Sequence, residues 1–330
     1  MAVTVSSINQ VGAREDLSDK LVVADMKACP LTTMIRKGKK PTKPIFDWPV
    51  AGVPAPDTAA VADGDPIESF DDNSGARALL HGRVHKVRTG CSVSEMAEDV
   101  NTPAGIESEF KFAKLNALKK VKRAIEAVFC GDQDSSLSGR THTTRGLGSW
   151  IKATAQTDLP VATAYLTPAG SIDATALTSL TEEIIRDVMQ SIYGQTGELG
   201  SWDGLVGVAL KSEISKMTIF RDSVGSNEIV RTFFAQIESK KLQAVIDVVV
   251  GDFGTIRLHP TLWNAWNNST KAADSKRGYI LDMDDLEMRA NKLPGFKQLP
   301  EDDSGPKGVV SAIVALQVGS PLKHGKLANT

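Results

Sequence analysis

Two histidines in the chain have a spacing that could bind a metal ion. His81 and His85 lie four residues apart, and in a helix this spacing places two imidazole rings on one face. The neighbouring valine, arginine and glycine residues favour a strand, in which the two side chains would stand about 13 Å apart. A single ion cannot bridge that distance. The spacing therefore predicts a strand with two separate histidines rather than a metal site.

A run of acids near position 285 is the second pattern with possible chemistry. Asp282, Asp284, Asp285 and Glu287 could supply the carboxylates of a calcium loop, but the run lacks that loop's glycine and its bidentate glutamate. His142, in the stretch THTTRG, has no nucleophile at a recognisable spacing. We predict a solvated strand exit for the acids and a polar loop for the histidine.

Motifs of nucleotide-binding and catalytic sites are absent from the sequence. It contains no GxGxxG, GxxxxGK[ST], GxSxG or HExxH stretch. We therefore assign no catalytic residue, no cofactor and no metal, and expect that the protein is not an enzyme.

Composition narrows the class of protein. The 330 residues are 41% hydrophobic and 24% charged, with a net charge of -2, which indicates a folded protein without an overall charge signature for DNA or membrane. The three cysteines form no CxxC pair, which favours a reducing compartment. Neither a signal-peptide pattern nor an apolar run of membrane-spanning length occurs, so a cytoplasmic product is expected.

A hairpin with segregated charge is predicted over residues 44–94. PIFDWPV forms one arm and ALLHGRVHKVRTGCSVS the other, joined by a connection rich in Pro, Gly and Asp. The connection, residues 51–76, contains no Lys or Arg and has these acids: Asp57, Asp63, Asp65, Glu68, Asp71 and Asp72. The flanking stems contain one acid, Asp47, and these bases: Arg36, Lys37, Lys39, Lys40, Lys43, Arg77, Arg83, Lys86 and Arg88. We call the connection, residues 51–76, the acidic tip of the hairpin, and the flanking stretches its basic stem.

The clearest single element is a helix predicted over residues 102–131. Thr102 can cap it, Pro103 suits its first turn and Gly131 can end it. Apolar residues recur at helical spacing from Ile106 to Val128. The polar side of the helix is basic, with Lys111, Lys114, Lys119, Lys120, Lys122 and Arg123.

The rest of the chain mixes strands and helices without a regular βαβ period. We predict a glycine-punctuated loop over 138–151, a helix over 175–197 that ends near Gly194, and a strand with a short helix over 203–220. Further strands are expected at these ranges: 242–263 (two segments around a glycine turn), 278–291 and, as the last strand, 308–321. Such an irregular order predicts an α+β fold.

The order of these elements resembles the major capsid proteins of tailed bacteriophages, which have the Hong Kong 97-type fold. PLTTMIRKG and IFDW resemble the start of the extended loop in a subgroup of that family, and AIEAVFCGDQ followed by RGLGSWI is similar to the end of its spine helix. DGLVGVALKSEISKMTIF and DFGTIRLHPTLW resemble segments of its apical domain. The tail, residues 299–327, departs from the subgroup, because EDDSG replaces an expected TG turn and Gln317 an expected glutamate.

The resemblance implies a structural protein that self-assembles as hexamers and pentamers into an icosahedral shell around double-stranded DNA. Its implied regions are an N-arm (1–30), an extended loop (31–100), a peripheral domain with the spine helix (101–165), an apical domain (166–290) and a peripheral return (291–330). Implied partners are further copies of the chain, a portal, scaffold or decoration proteins, and packaged DNA through non-specific contacts, with no membrane. The implied location is the virion, after assembly in the host cytoplasm.

Within such a shell, we hypothesise that the acidic tip of one subunit contacts a basic surface of the next. The run 36–43 and the basic side of the spine helix are the two candidate surfaces, and solvated tip acids or helix lysines facing DNA are the alternatives. The candidate contact residues are Asp57, Asp63, Asp65, Glu68, Asp71, Asp72, Arg36, Lys37, Lys39, Lys40, Lys111, Lys114, Lys119, Lys120, Lys122 and Arg123.

Three other functions stay open on the sequence alone. An encapsulin-like nanocompartment shell would use the same fold around enzyme cargo. A soluble nucleic-acid-binding protein would use the basic stretches 36–43 and 111–123, and would show salt-sensitive DNA binding as a monomer. The third is an enzyme whose active site contains no recognisable sequence motif.

Overall fold

The computed structural model describes most of the chain. The described residues are 29–54, 56, 58–64, 75, 77–99, 108–217, 246–266, 270, 273–300 and 305–328. Over these residues, helices and strands alternate without a regular order, which confirms the predicted α+β class.

The helices and strands of the described residues have the following bounds. The helices are α1 (Pro30–Met34), α2 (Glu95–Asp99), α3 (Glu109–Phe129), α4 (Leu147–Trp150), α5 (Glu182–Thr196) and α6 (Val208–Lys216). The strands are β1 (Arg36–Lys37), β2 (Ile45–Ala51), β3 (Arg77–Arg83), β4 (His85–Ser92), β5 (Ser136–Ser138), β6 (Thr141–Thr143), β7 (Ile172–Asp173), β8 (Gly200–Val206), β9 (Val248–Gly251), β10 (Gly254–Pro260), β11 (Gly278–Leu281), β12 (Leu286–Gln298), β13 (Lys307–Val318) and β14 (Gly325–Leu327).

The first core lies between α3 and a four-stranded sheet. The strand order is β1-β12-β13-β4, in which β1 runs parallel to β12 and the other pairs are antiparallel. One stripe of α3 is buried, including Val121 and Ile125, because its apolar residues recur at helical spacing. Alternate residues of β13, such as Val310 and Ala312, are buried in the same core.

The second core lies under a six-stranded sheet with the order β7-β14-β11-β8-β10-β9. Helices α5 and α6 bury Ile192 and Leu210 in it, against strand residues such as Trp202 and Ile256. The sheet joins strands that are far apart in sequence, since β14 lies between β7 and β11. The pairing of β7 with β14 therefore brings residues near 172 next to residues near 327.

Asp132, just after α3, links the two cores through charge. Its carboxylate accepts from the Arg277 guanidinium, and Lys326 Nζ lies 3.5 Å from its Oδ1 atom. The Tyr279 hydroxyl from the six-stranded sheet donates to the Cys130 carbonyl oxygen at the end of α3, over 3.3 Å. Burial, with the nearby Arg277, lowers the pKa of Lys326 to about 8.

Strands β2 and β3 form a separate antiparallel ribbon. Phe46 and Trp48 on β2 and Leu80 on β3 are buried, whereas Leu79 on the opposite face is 57% exposed. The Trp48 indole nitrogen donates to the Gly319 carbonyl oxygen, so the ribbon is fixed at the end of β13.

The predicted hairpin needs a correction in its second arm. The chain leaves the ribbon at Val84, whose amide donates to the Pro44 carbonyl oxygen, and β4 then pairs with β13 instead of β2. The reason is burial, because Val87 and Cys91 of β4 pack against the first core. The hairpin is therefore the ribbon of β2 and β3 alone.

The ends of the two main helices also differ from prediction. Helix α3 begins at Glu109, because Ser108 has extended backbone angles and its hydroxyl accepts from the Lys111 amide. The predicted cap and first turn at residues 102–103 lie outside the described residues. Helix α5 begins only at Glu182, after the Thr181 cap, and ends at Thr196, just before Gly197, whose φ of 67° is left-handed.

Two smaller predictions are also wrong. The stretch 138–151 is not only a loop, since it contains β6 and α4, and Trp150 of α4 is buried beside Trp48. The last strand is β14 rather than the strand ending near residue 318. Its three residues are too few to show a period of two in the sequence.

Candidate assembly surfaces

The basic run that begins at Arg36 forms the foot of the extended loop. Arg36 and Lys37 make β1, and the Gly38 amide donates to the Met288 carbonyl oxygen on β12. The guanidinium of Arg36 donates to the Asp284 carbonyl oxygen, and its Nη1 atom lies 3.7 Å from the Asp284 carboxylate. The side chains of Lys37, Lys39, Lys40 and Lys43 are exposed. The run is thus a short edge strand with a row of exposed cations.

Most of the acidic tip lies outside the described residues. Asp57, Asp65, Glu68, Asp71 and Asp72 are among the residues that the structure does not describe. Asp63 is described, stands in a turn and is exposed. Within the described chain, no ion pair joins Asp63 to one of the candidate bases.

The basic side of α3 faces away from the four-stranded sheet. Lys111, Lys119, Lys120 and Lys122 are exposed, whereas Arg123 is half-buried. Lys114 is also half-buried, and its Nζ atom lies 4.5 Å from the centre of the Phe296 ring on β12. The predicted basic helix face therefore exists, except that Lys114 turns toward the sheet.

A buried polar network fixes the base of the ribbon and was not predicted from the sequence. Arg83 at the end of β3 is 4% exposed and pairs with Asp158 over 3.0 Å. Arg145, equally buried, pairs with Asp134 over 2.8 Å and donates to the carbonyl oxygens of Asp158 and Leu159. Buried cations need such partners, so the network holds the ribbon in one orientation.

A second unpredicted contact anchors the segment before the ribbon. The Glu126 carboxylate, fully buried on α3, accepts from the backbone amides of Leu31 and Thr32, each over 2.7 Å. These are free amides of the first turn of α1, where an anion is favoured. Burial raises the pKa of Glu126, and the bonds from α1 offset part of that rise. No sequence signal could reveal this contact, because a glutamate at position 126 of a predicted helix would be assigned to its solvent-exposed side.

The residues that first suggested chemistry have structural partners. His81 Nδ1 lies 2.6 Å from an Asp47 carboxylate oxygen across the ribbon, and His85 Nδ1 lies 3.2 Å from the His142 carbonyl oxygen. Asp285 accepts from the Ser320 amide over 2.6 Å, so it holds the end of β13. Among the described residues, no group of three His, Cys, Asp or Glu side chains could hold a metal ion.

The hydropathy of the helices bears on whether one of them could span a membrane. None of the helices in the described ranges combines the length and apolar content needed to cross a bilayer.

The fold and the sequence both match phage capsid proteins. The family model described as SU10 major capsid protein matches residues 3–330. The chain belongs to this family. No curated protein sequence matches the chain.

Solved structures with the same fold come from phages and from a GTA particle. The chain is similar to the capsid protein of cyanophage P-SCSP1u, with a TM-score of 0.63, 12% identity, and coverage of 99% of this chain and 96% of that one. A chain from Mycobacterium phage Adephagia matches with a TM-score of 0.58 and 13% identity, covering 99% of both chains. The capsid of the native GTA particle matches with a TM-score of 0.58 and 12% identity, covering 97% of this chain and 96% of that one.

Membership in the SU10 major capsid protein family confirms the predicted fold and the predicted class of function. The protein is a major capsid protein of the tailed-phage type, with a structural role. The family match does not favour the nanocompartment shell or the soluble nucleic-acid-binding protein.

Proposed function

We propose that this capsid protein assembles as hexamers and pentamers into an icosahedral shell that encloses double-stranded DNA in a tailed phage. The observation that carries the proposal is the match to one capsid-protein family over residues 3–330. The exposed apolar residues of the extended loop support it, because Leu79 is 57% exposed and Val53 is 95% exposed in the single subunit. Such residues gain free energy when another copy covers them.

The regions of the subunit are proposed to follow the capsid pattern. The N-arm covers residues 1–30, the extended loop 31–100 and the peripheral domain with the spine helix 101–165. The apical domain covers residues 166–290, and the peripheral domain returns over 291–330. In this division β14 contributes to the six-stranded sheet although most of the return belongs to the four-stranded sheet.

The proposed partners are further copies of the chain, a portal, scaffold or decoration proteins, and packaged DNA. Assembly is proposed to occur in the host cytoplasm, before the finished shell becomes part of the virion. We further propose that the acidic tip of one subunit contacts a basic surface of its neighbour. An exposed ion pair contributes about 0–1 kcal/mol, but a shell repeats the contact at every subunit.

The test is direct expression of the full chain followed by size-exclusion chromatography and negative-stain electron microscopy. Capsomers, or closed particles tens of nanometres wide, are expected. A monomer at every concentration and salt condition, with or without co-expressed neighbours from the same genome, would contradict the proposal. Enzyme cargo inside the particles, rather than DNA packaging through a portal, would support the nanocompartment alternative.

A further inference from the structure

The four-stranded sheet has a second basic surface on the face opposite α3. The side chains of Lys86 and Arg88 on β4 point to this face and are exposed. Lys292 and Lys297 on β12 are exposed on the same face, as the strand register shows. With the half-buried Lys307 of β13, these residues define the basic sheet face.

The pairing of the strands places most of these cations on β4 and β12, the two strands that flank β13. Ile313 of β13 lies opposite both Lys86 and Lys292, so two lysines flank one apolar residue. Ser311 lies opposite Arg88 and accepts from Lys292 Nζ over 2.8 Å. At the described outward positions of β4, β12 and β13 between residues 307 and 313 of β13, no acid occurs. The face therefore carries an excess of positive charge, so an anionic partner would stabilise it.

Apolar residues lie between the cations. Val309 and Ile313 of β13 are on this face and are half-buried. A phosphate backbone would gain nothing from these side chains. A peptide that carries both acids and apolar residues would contact both parts of the face.

The basic sheet face and the basic side of α3 lie on opposite sides of the subunit. Helix α3 packs on the sheet face that contains Val310 and Phe296, and its Phe110 ring lies 6.0 Å from the Phe296 ring. Its exposed lysines therefore point away from the sheet. Lys86 and Arg88 alternate with Val87, which points toward α3, and so they point the other way.

The ribbon of the extended loop is on the same side as the basic sheet face. Arg289 and Ala315 are paired outward positions of β12 and β13, and the Arg289 guanidinium lies 5.1 Å from the centre of the Phe46 ring on β2. Ala315 is fully buried at this outward position. Within the described part of the chain, the ribbon thus covers the end of the face near Ala315 and does not reach the end near Lys307.

We propose that the basic sheet face of one subunit binds the acidic segment of a neighbouring subunit, residues 57–72. This inference rests on the proposed shell, in which all copies present the same side outward. A segment that starts from a ribbon on the sheet side meets the sheet side of its neighbour, whereas the lysines of α3 point to the opposite side. The basic side of α3, one of the two candidate surfaces predicted from the sequence, would then be free to face DNA.

The chemistry of the segment fits the face. Residues 51–76 contain six acids and no base, together with Val61, Ile67 and Phe70. Val61 is 75% exposed in the single subunit, so it is available for contact with Val309 or Ile313. Acids would pair with the lysines and arginine while the apolar residues cover the centre of the face.

The test compares two matched charge reversals. The sheet variant replaces Lys86, Arg88 and Lys297 by Glu, and the helix variant replaces Lys119, Lys120 and Lys122 by Glu. We expect the sheet variant to raise the protein concentration needed for assembly by about tenfold or more at low salt, since like charges would face each other. The helix variant should assemble as wild type but bind double-stranded DNA more weakly, as capsomers, with a smaller salt dependence.

A compensating variant keeps the test independent of folding defects. Replacing Asp63, Asp65 and Asp71 by Lys should impair assembly alone, and combining it with the sheet variant should restore assembly. Restoration by combination with the helix variant instead would overturn the proposal, as would a sheet variant that assembles as wild type and loses only DNA binding. If the wild type itself does not assemble, the proposed shell function fails and not this contact alone.

Discussion

At the residue scale, the buried Glu126 decides how the segment before the extended loop is held. Its carboxylate accepts hydrogen bonds from two amides of α1, and removal of the side chain would leave the buried Leu31 amide and the half-buried Thr32 amide without this acceptor. We expect Glu126→Ala to lower the free energy of unfolding by about 2–4 kcal/mol. Urea unfolding at pH 7 measures this loss. Glu126→Asp keeps the charge but shortens the side chain. It is the matched control, because it tests whether the carboxylate must reach the two amides.

The pKa of Glu126 gives a separate prediction for the dependence of stability on pH. Burial raises this pKa in the folded state above its ordinary value, so the folded state binds the proton more tightly than the unfolded state. The contribution of Glu126 to the free energy of unfolding is therefore largest below pH 4.5 and decreases as pH rises through the raised pKa. Glu126→Gln should remove this decrease. Equal pH profiles for the wild type and the Gln variant, over that window, would contradict it.

Ile125 tests the apolar stripe of α3 at one residue. It is 3% exposed, so Ile125→Asp would bury a carboxylate without a partner and should cost several kcal/mol. Insoluble or unfolded subunits are expected, as judged by circular dichroism and solubility. Lys120→Glu, on the exposed side of the same helix, should change stability by less than about 1 kcal/mol.

At the element scale, the ribbon of β2 and β3 is expected to change most on assembly. It is a two-stranded element, and its outward residues Pro49 and Leu79 pair with each other on the exposed face. Two strands alone are only marginally stable. Hydrogen exchange of residues 45–51 and 77–83 should slow in shells relative to capsomers, while exchange in α3 changes little. Equal exchange of the ribbon in both states would show that no neighbour covers it.

The elements differ in how well the sequence predicts them. Helix α3 and strand β13 are predictable because an apolar period is a local signal. The partner of β4 is not, since residues 85–92 pair with residues 307–314, and no local pattern records a contact over that separation. The basic sheet face could not be predicted for the same reason, because only the pairing of both strands with β13 brings Lys86 and Lys292 to the two sides of Ile313.

At the scale of the whole molecule, Asp132 joins the two cores. Arg277 and Lys326 are each mostly buried, and both lose their shared anion in Asp132→Ala. We expect a loss of about 1–3 kcal/mol, reduced by the partial exposure of Asp132. Calorimetry should also show a broader transition, because the two cores would unfold less cooperatively. Asp132→Asn, which keeps an acceptor, should fall between the wild type and the Ala variant.

The position of β14 also bears on how the subunit is made. Residues 325–327 lie inside the six-stranded sheet, between a strand that ends at Asp173 and one that begins at Gly278. A nascent chain therefore cannot complete this sheet until residues 325–327 have left the ribosome. Contacts of such high sequence separation also slow folding, so we expect the six-stranded sheet to form late. Polysomes would then carry chains that cannot yet join a shell, which keeps assembly from starting on the messenger itself.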